Sequence, residues 1–340
     1  MGTKKNKKSR IPLWAKIVIA ILLIFIILIV GAILIVNHQL NKIGREPANQ
    51  ETIAPEDEYF ETDEPPIDGS GNPLEEVDPD SIVWDEDEEV YYDDKIINVL
   101  LIGQDRRPGE TRARSDSMIV LSIDTRNNTL KMTSLLRDLY VQIPGYSDNR
   151  INASYAWGGM KLLDATIAKN FRIRIDKNIE VDFTAFKEVI DELDGVDVNI
   201  TEGEAKHLNK QGYSLSAGTV HMDGDLALAY SRIRHIDSDF NRTGRQRTVL
   251  QAAFNKMKDK SITEWYDLTN TIFPLLTTDM TNGEIIKMIK TVYDIHASSI
   301  ESYRVPEDGT YSNQYIRKMA VLVPDLSANR EYLLKNIYNQ

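Results

Sequence analysis

Five arginines and no lysine fall within Tyr230–Arg247, YSRIRHIDSDFNRTGRQR: Arg232, Arg234, Arg242, Arg245 and Arg247. Asp237, Asp239 and Gln246 stand among them. A guanidinium is a planar fork of donors that matches phosphate oxygens two at a time, whereas an ammonium is a point charge. Arginines at this density, interleaved with acids, suit a phosphate-bearing anion. The pattern also fits a solvated, salt-bridged helix face, the commoner outcome for a charge run on its own. A helix beginning at Thr243 would place Arg242 and Gln246, four residues apart, on one face. Its N-terminus would add N–H donors and a dipole favourable to an anion. Asp239 would cap it or join a metal site.

Two further constellations could share that chemistry. The polar loop GQDRRPGETRARSDS, residues 103–117, runs from one apolar segment into another and has Asp105 and Asp116 near its ends. In α/β proteins such strand-end loops commonly hold ligands. If the flanking strands are neighbours, both carboxylates reach one sheet edge. Two hard oxygen ligands with open positions suit Mg²⁺, which keeps several waters and takes its other ligands from phosphate. The simpler alternative is a turn cap at Asp105 and an ion pair from Asp116 to Arg112 or Arg114. Arg137–Asp138 follows another apolar segment and would reach the same rim, or form only a local ion pair. Phosphate-loop, nucleophile-elbow and zinc-protease patterns are absent, and five scattered histidines give no hydrolase triad.

These groups need a scaffold. IINVLLI (Ile96–Ile102) is a continuous apolar run, as for a strand covered on both faces. Ser117–Asp124 and Thr129–Leu136 read as a strand pair joined at TRNN. Val196–Ile200 and Ile300–Val305 read as strands. Apolar spacing predicts helices over Met160–Phe171, Phe183–Leu193, Leu226–Ser231, Thr243–Lys260, Thr263–Leu276, Glu284–His296 and Ala328–Tyr338. Alternation of this kind predicts an α/β domain, a three-layer α/β/α sandwich around a mixed sheet, over 95–340.

The N-terminal part has another character. Ile17–Val36 is an unbroken apolar run of bilayer-crossing length after six positive charges. It predicts an uncleaved transmembrane anchor with residues 1–16 cytoplasmic and the rest extracytoplasmic. Glu46–Asp94 carries twenty acids, six prolines and no Lys or Arg. That composition predicts an extended acidic stalk over 37–94, with Ile82–Tyr92 available to dock. The net charge of −12 comes from these segments, and residues 95–340 hold 32 charges of each sign. A neutral domain is a poor fit to nucleic acid. The absence of cysteine excludes disulfides, thiolate catalysis and Cys-ligated metal.

NVLLIGQDRR, RARSDSMIVLSID, SLLRDLYVQIPG, RINASYAWGG and YSRIRH…DSDFNRTGRQR, in this order, resemble the LytR-CpsA-Psr family of Gram-positive bacteria. SYRVPEDGTYSNQY and AVLVPDL resemble its C-terminal part. The resemblance covers roughly 95–340. It implies a transferase of cell wall biogenesis that moves a glycopolymer (teichoic acid, capsule or related) from a polyprenyl-pyrophosphate carrier to peptidoglycan. By matching positions, it implies Mg²⁺, with Mn²⁺ as a substitute, on Asp105 and Asp116. It implies a pyrophosphate held by Arg114, Arg137, Arg232, Arg234, Arg242 and Gln246, with Asp239 supporting that grip; Arg137, Asp138 and Asp239 are then the catalytic candidates, and the base is open among Asp105, Asp116 and Asp138, with metal assistance as the alternative. Asn241 stands where a glycine is usual before the arginine. A non-catalytic binder of polyprenyl-linked precursors and a pyrophosphatase on the same lipid are the alternatives.

Overall fold

The computed structural model describes residues 34–46, 52–85, 89–104, 112–234, 239–258, 260–261, 264, 268, 271–297 and 299–339. The chain divides into two units, 1–42 and 43–340. In the first, residues 34–40 are helical. No helix among the described residues is long and apolar enough to cross a membrane, and the span expected over 17–36 lies mostly outside them. The helix expected over 263–276 also lies partly outside them.

In the second unit, Ile96–Gln104 (β1) is apolar at both parities. Leu100 and Ile102 enter one core and Ile97, Val99 and Leu101 another, so both faces require cover. Ser115–Asp124 (β2) and Thr129–Leu135 (β3) pair antiparallel as expected. The turn between them is fastened by Asp124, whose carboxylate accepts from the N–H groups of Arg126 and Asn127 at 2.9 and 3.0 Å. Ile151–Phe171 (α1) starts nine residues before the predicted helix. It is broken at Gly158 and Gly159 (φ 64°), and that break hid its first half from the periodicity.

Lys177–Asp182 (β4), Phe183–Glu192 (α2), Val196–Ile200 (β5), Glu202–Asn209 (α3), Gly218–Met222 (β6) and Gly224–Ser231 (α4) follow. Side-chain caps from Asp182, Thr201 and Asp223 start α2, α3 and α4. Asp239–Lys258 (α5), Asn282–Ile295 (α6), Ile300–Val305 (β7), Tyr311–Ile316 (β8), Met319–Pro324 (β9) and Leu326–Tyr338 (α7) complete the set.

The main sheet is mixed. Its order is 44–45, 277–278, β4, β1, β2, β3, β7, with β1·β2 and β2·β3 antiparallel and β1·β4 and β3·β7 parallel. On one face α1 and α7 pack Trp157, Leu163, Ile167, Leu333 and Ile337 against Leu100 and Val120. On the other, Phe254 of α5 and Met288, Val292 and Ile295 of α6 cover Val99 and Ile123. This is the expected sandwich. Each fully buried aliphatic side chain contributes about 1.5–3 kcal/mol.

The β5–β6 hairpin packs with α2, α3, α4 and part of α5 around Val198, Leu208, Met222 and Val249. Tyr230 and Ile233 of the arginine stretch are buried in this satellite core, while Gln246 and Arg247 bond to the main sheet. The strands β4 and β6 escaped the sequence reading because they are short and mostly polar.

The stalk expected over 37–94 is corrected for the described residues after 52. Tyr146 Oη donates to Ile53 O at 2.7 Å, Trp84 Nε1 to Asp148 at 2.7 Å, and Arg126 to Asp93 at 2.8 Å. Glu76–Val77 adds a strand to β8. Glu61, Asp63 and Asp93 find the domain arginines Arg150 and Arg126 and Trp84 stacks beside Tyr140, so the segment is ordered by partners that its own composition does not reveal.

Candidate functional site

The site begins with an irregularity in the sheet. Gly103 pairs with Ser117 but Gln104 with Ser115, so Asp116 is the extra residue of a β-bulge at the strand end. Bulges re-aim side chains, and this one turns Asp116 to the rim where β3 delivers Arg137. Gly103 permits the close approach, since a Cβ there would lie 3.1 Å from Ser117 Cβ. Ser117 in turn donates from Oγ to Gln246 Oε1 at 3.0 Å, tying β2 to α5.

Arg137 Nη1 donates to Asp116 Oδ1 at 2.6 Å, and its Nε lies 3.6 Å from Asp138 Oδ2. Arg234, just after α4, approaches the same Asp116 oxygen at 3.8 Å. Asp138 Oδ1 is 3.4 Å from Arg150. Helix α5 already includes Asp239–Arg242, ahead of the start expected at Thr243. Its first turn is closed by Arg242, which donates from Nη2 to Asp239 Oδ2 at 2.8 Å. Arg242 is 1 % exposed. Its Nη1 stands 2.8 Å from Asp239 Oδ1, close enough for ion pairing but without a hydrogen bond to it. Nε and Nη1 of Arg242, and Nε of Arg137, are buried without a hydrogen-bond acceptor among the described residues.

Electrostatics binds these residues into one group. Burial, reinforced by Arg137 and Arg234 and opposed by Asp239, lowers the Arg242 pKa to about 10. Burial acts the same way on Arg137, but the carboxylates of Asp138, Asp116 and Asp239 outweigh it and raise that guanidinium. Asp239 is pushed up by burial and by Asp138, against Arg242, Arg137 and Arg234. The cluster Asp116, Arg137, Asp138, Arg234, Asp239 and Arg242 therefore holds buried donors short of acceptors, as a site for a multiply charged anion requires.

Other predicted residues lie around this cluster. Arg114 donates to Asn152 Oδ1 at 3.2 Å and lies 3.4 Å from Glu61, over the Tyr59 ring. Arg232 stacks on Phe183, 4.6 Å from the ring centroid. Asp105 and Asp237 lie outside the described residues. The alternative pairing of Asp116 with Arg112 or Arg114 gives way to Arg137. Arg245 is corrected from a solvated face to a buried pair: it is 4 % exposed and donates to Glu204 at 2.7 Å and to Ile233 O at 3.0 Å. Arg247 donates to Ser134 at 2.6 Å and Ser302 at 3.2 Å.

Sequence reasoning gave no role to Arg150, Asn152 or Ser117. Arg150 and Asn152 lie in the quoted motif RINASYAWGG, which was the available signal.

Among the described residues no three His, Asp or Glu side chains gather as metal ligands. Asp116 has its described partners on Oδ1, and Oδ2 is left for a cation. A carboxylate oxygen is the kind of ligand a hard ion such as Mg²⁺ takes.

The chain matches the LytR_cpsA_psr family over residues 69–331. It is 35% identical over 217 residues, 63% of this chain and 69% of the relative, to the polyisoprenyl-teichoic acid–peptidoglycan teichoic acid transferase TagU of Bacillus mycoides. It is 40% identical over 164 residues to the regulatory protein MsrR of Staphylococcus aureus, covering 47% of this chain and 49% of that one. Among solved structures it resembles TagT bound to LIIa-WTA, with a TM-score of 0.62 at 28% identity over 73% of this chain and 92% of that one. It also resembles Bacillus subtilis TagV, with a TM-score of 0.59 at 26% identity over 73% of this chain and 99% of that one. With the match spanning most of the chain and the arginine–carboxylate rim in place, this protein belongs to the LytR-CpsA-Psr family.

Proposed function

We propose that this chain is a membrane-anchored, extracytoplasmic phosphotransferase that moves an anionic glycopolymer from a polyprenyl-pyrophosphate donor to a peptidoglycan hydroxyl. The observation that carries the reading is Arg242, a fully buried guanidinium whose Nε and Nη1 make no hydrogen bond among the described residues, beside Arg137 and Arg234. A pyrophosphate supplies the missing acceptors. Transferase relatives named for teichoic acid and peptidoglycan favour transfer over mere binding. The apolar run at 17–36 supports the anchor.

In the proposed reaction a peptidoglycan hydroxyl oxygen attacks the sugar-linked phosphorus. The bond from that phosphorus to the bridging oxygen breaks, polyprenyl phosphate leaves with the electron pair, and a phosphodiester forms. Charge grows on the bridging oxygen and the equatorial oxygens, and Arg137, Arg234 and Arg242 are pre-positioned to neutralise it. Asp138 and Asp239 are the described carboxylates at the rim able to take the hydroxyl proton. A bound Mg²⁺, held by Asp116 and Asp105, would supply further neutralisation of phosphate charge. Arg114 and Arg232 stand at the margins, where the donor's outer groups would pass.

The test is incubation of the protein with a synthetic polyprenyl-pyrophosphoryl sugar, Mg²⁺ and peptidoglycan fragments, beside Arg137→Ala and Arg232→Ala. Loss of transfer in both folded variants is expected. Full activity in both would sink the assignment.

A further inference from the structure

Helix α5 has a second face. Asp239, Arg242 and Gln246 look to β2 and the rim, while Phe240, Asn241, Gly244 and Arg247 line an open cleft of about 590 Å³ with Arg304, Asp308 and Tyr311. The cleft lies beside the end of β7 next to β3, where Arg304 pairs in register with Ser134, three residues before Arg137.

Arg247 is the unusual residue here. Its described hydrogen bonds go to two neutral hydroxyls, Ser134 and Ser302, and no carboxylate pairs with it among the described residues. Burial, followed by the neighbouring Arg304, lowers its pKa to about 10. A partly desolvated cation beside a second cation is unfavourable unless something anionic joins them. Gly244 adds no side chain to the wall, where Arg247 Nη2 lies 3.9 Å from the position a Cβ would take. Arg304 is held over the Phe240 ring at 4.4 Å and pairs with Asp308, whose side chain is 85% exposed. Phe240 and Tyr311 stand with ring centroids 5.2 Å apart, an apolar platform for a sugar or polyol.

We infer that the Arg247–Arg304 cleft is a second anion subsite, taking a phosphodiester of the saccharide or polyol chain that trails the pyrophosphate on the donor. The inference rests on the transferase reading, because it assigns the polymer's place in that site. Continuity with the rim supports this occupant. Arg247 bonds Ser134, three residues before Arg137 on the same stretch of chain, so a polymer leaving the rim passes the end of β3 to reach Arg247. The subsite would favour donors whose polymer carries phosphate near the linkage end over uncharged ones.

The test uses the full-length protein in detergent micelles with Arg247→Gln, Arg304→Gln and the double variant. Titration with a short oligo(glycerol phosphate), which lacks pyrophosphate, should show affinity falling about tenfold to a hundredfold in the double variant and less in each single one. Equal affinities overturn the subsite. A transfer assay then compares a phosphodiester-extended donor with a phosphate-free one. The ratio of their kcat/KM values should fall about tenfold or more in the variants, and an unchanged ratio overturns the polymer as occupant. Absence of transfer in all proteins, with the titration difference intact, would fault the transferase reading and leave the anion site standing. Melting temperature discriminates a structural role: removing the Arg247 cation, which no described carboxylate pairs, leaves it unchanged or raised, whereas a marked fall in Arg247→Gln assigns that residue to stability and overturns the inference.

Discussion

Arg242→Gln tests most sharply whether the buried guanidinium serves the ligand or the fold. A change in its pKa from 12.5 to about 10 disfavours the charged form in the folded state by about 3 kcal/mol. The sign follows from proton counting. Above pH 10 the unfolded chain holds the proton more tightly, so stability rises with pH there, and at neutral pH the full penalty is present. The substitution relieves that penalty and leaves Asp239 without its partner, a loss limited because burial already raises the Asp239 pKa. The two effects oppose, and ligand-free stability should stay within about 2 kcal/mol of the parent, a few degrees in Tm. Function should respond quite differently. Two or more charge-assisted bonds of about 1.5–3 kcal/mol each vanish, lowering kcat/KM about 10²- to 10⁴-fold. Calorimetry and a transfer assay on the same preparation read both quantities. Activity within threefold of the parent, or a stability loss of about 3–5 kcal/mol as for an ordinary buried pair, would refute the reasoning.

Arg245 three residues on should behave in the opposite way. Arg245→Ala breaks its 2.7 Å bond to buried Glu204 and should cost about 3–5 kcal/mol by denaturant unfolding, with kcat/KM of the folded fraction within threefold. Asp164 predicts a pH effect. Burial, with Asp279 and Glu46 and against a 2.8 Å bond from Asn178, raises its pKa to about 7. The folded state therefore binds the proton more tightly than the unfolded one, and stability falls as pH rises from about 4 to 7. Asp164→Asn should raise stability at pH 8 by up to about 4 kcal/mol and leave it nearly unchanged at pH 4, as thermal melts at the two pH values would show. Chelation should abolish transfer, with Mg²⁺ or Mn²⁺ restoring it, and Asp116→Asn should raise the Mg²⁺ concentration needed. Full turnover in excess chelator would contradict a metal on Asp116.

Much of this architecture was legible in the residues. Ile96–Ile102 is apolar at both parities because it is buried on both faces, and the hairpin announced itself by strand, turn and strand. The arginine stretch was visible as chemistry, but its division was not. Arg242, Arg245 and Arg247 look alike in one dimension, and what separates them is their partners: Glu204 for Arg245, Ser134 and Ser302 for Arg247, and for two nitrogens of Arg242 no hydrogen bond among the described residues. The bulge at Asp116 is a register effect that strand periodicity does not reveal. Arg150 was missed because its partners, Glu61, Asp63 and Asp138, were assigned to a stalk or to another pair.

The measurement that tests the account most directly is release of polyprenyl phosphate from a synthetic polyprenyl-pyrophosphoryl glycan, followed with and without peptidoglycan fragments. The account predicts release that depends on the acceptor, matched one for one by a new phosphodiester on peptidoglycan and lost in Arg137→Ala and Arg242→Gln. Release at the same rate without acceptor would identify a pyrophosphatase, and tight donor binding with no release at all would identify a scaffold; either result would contradict it.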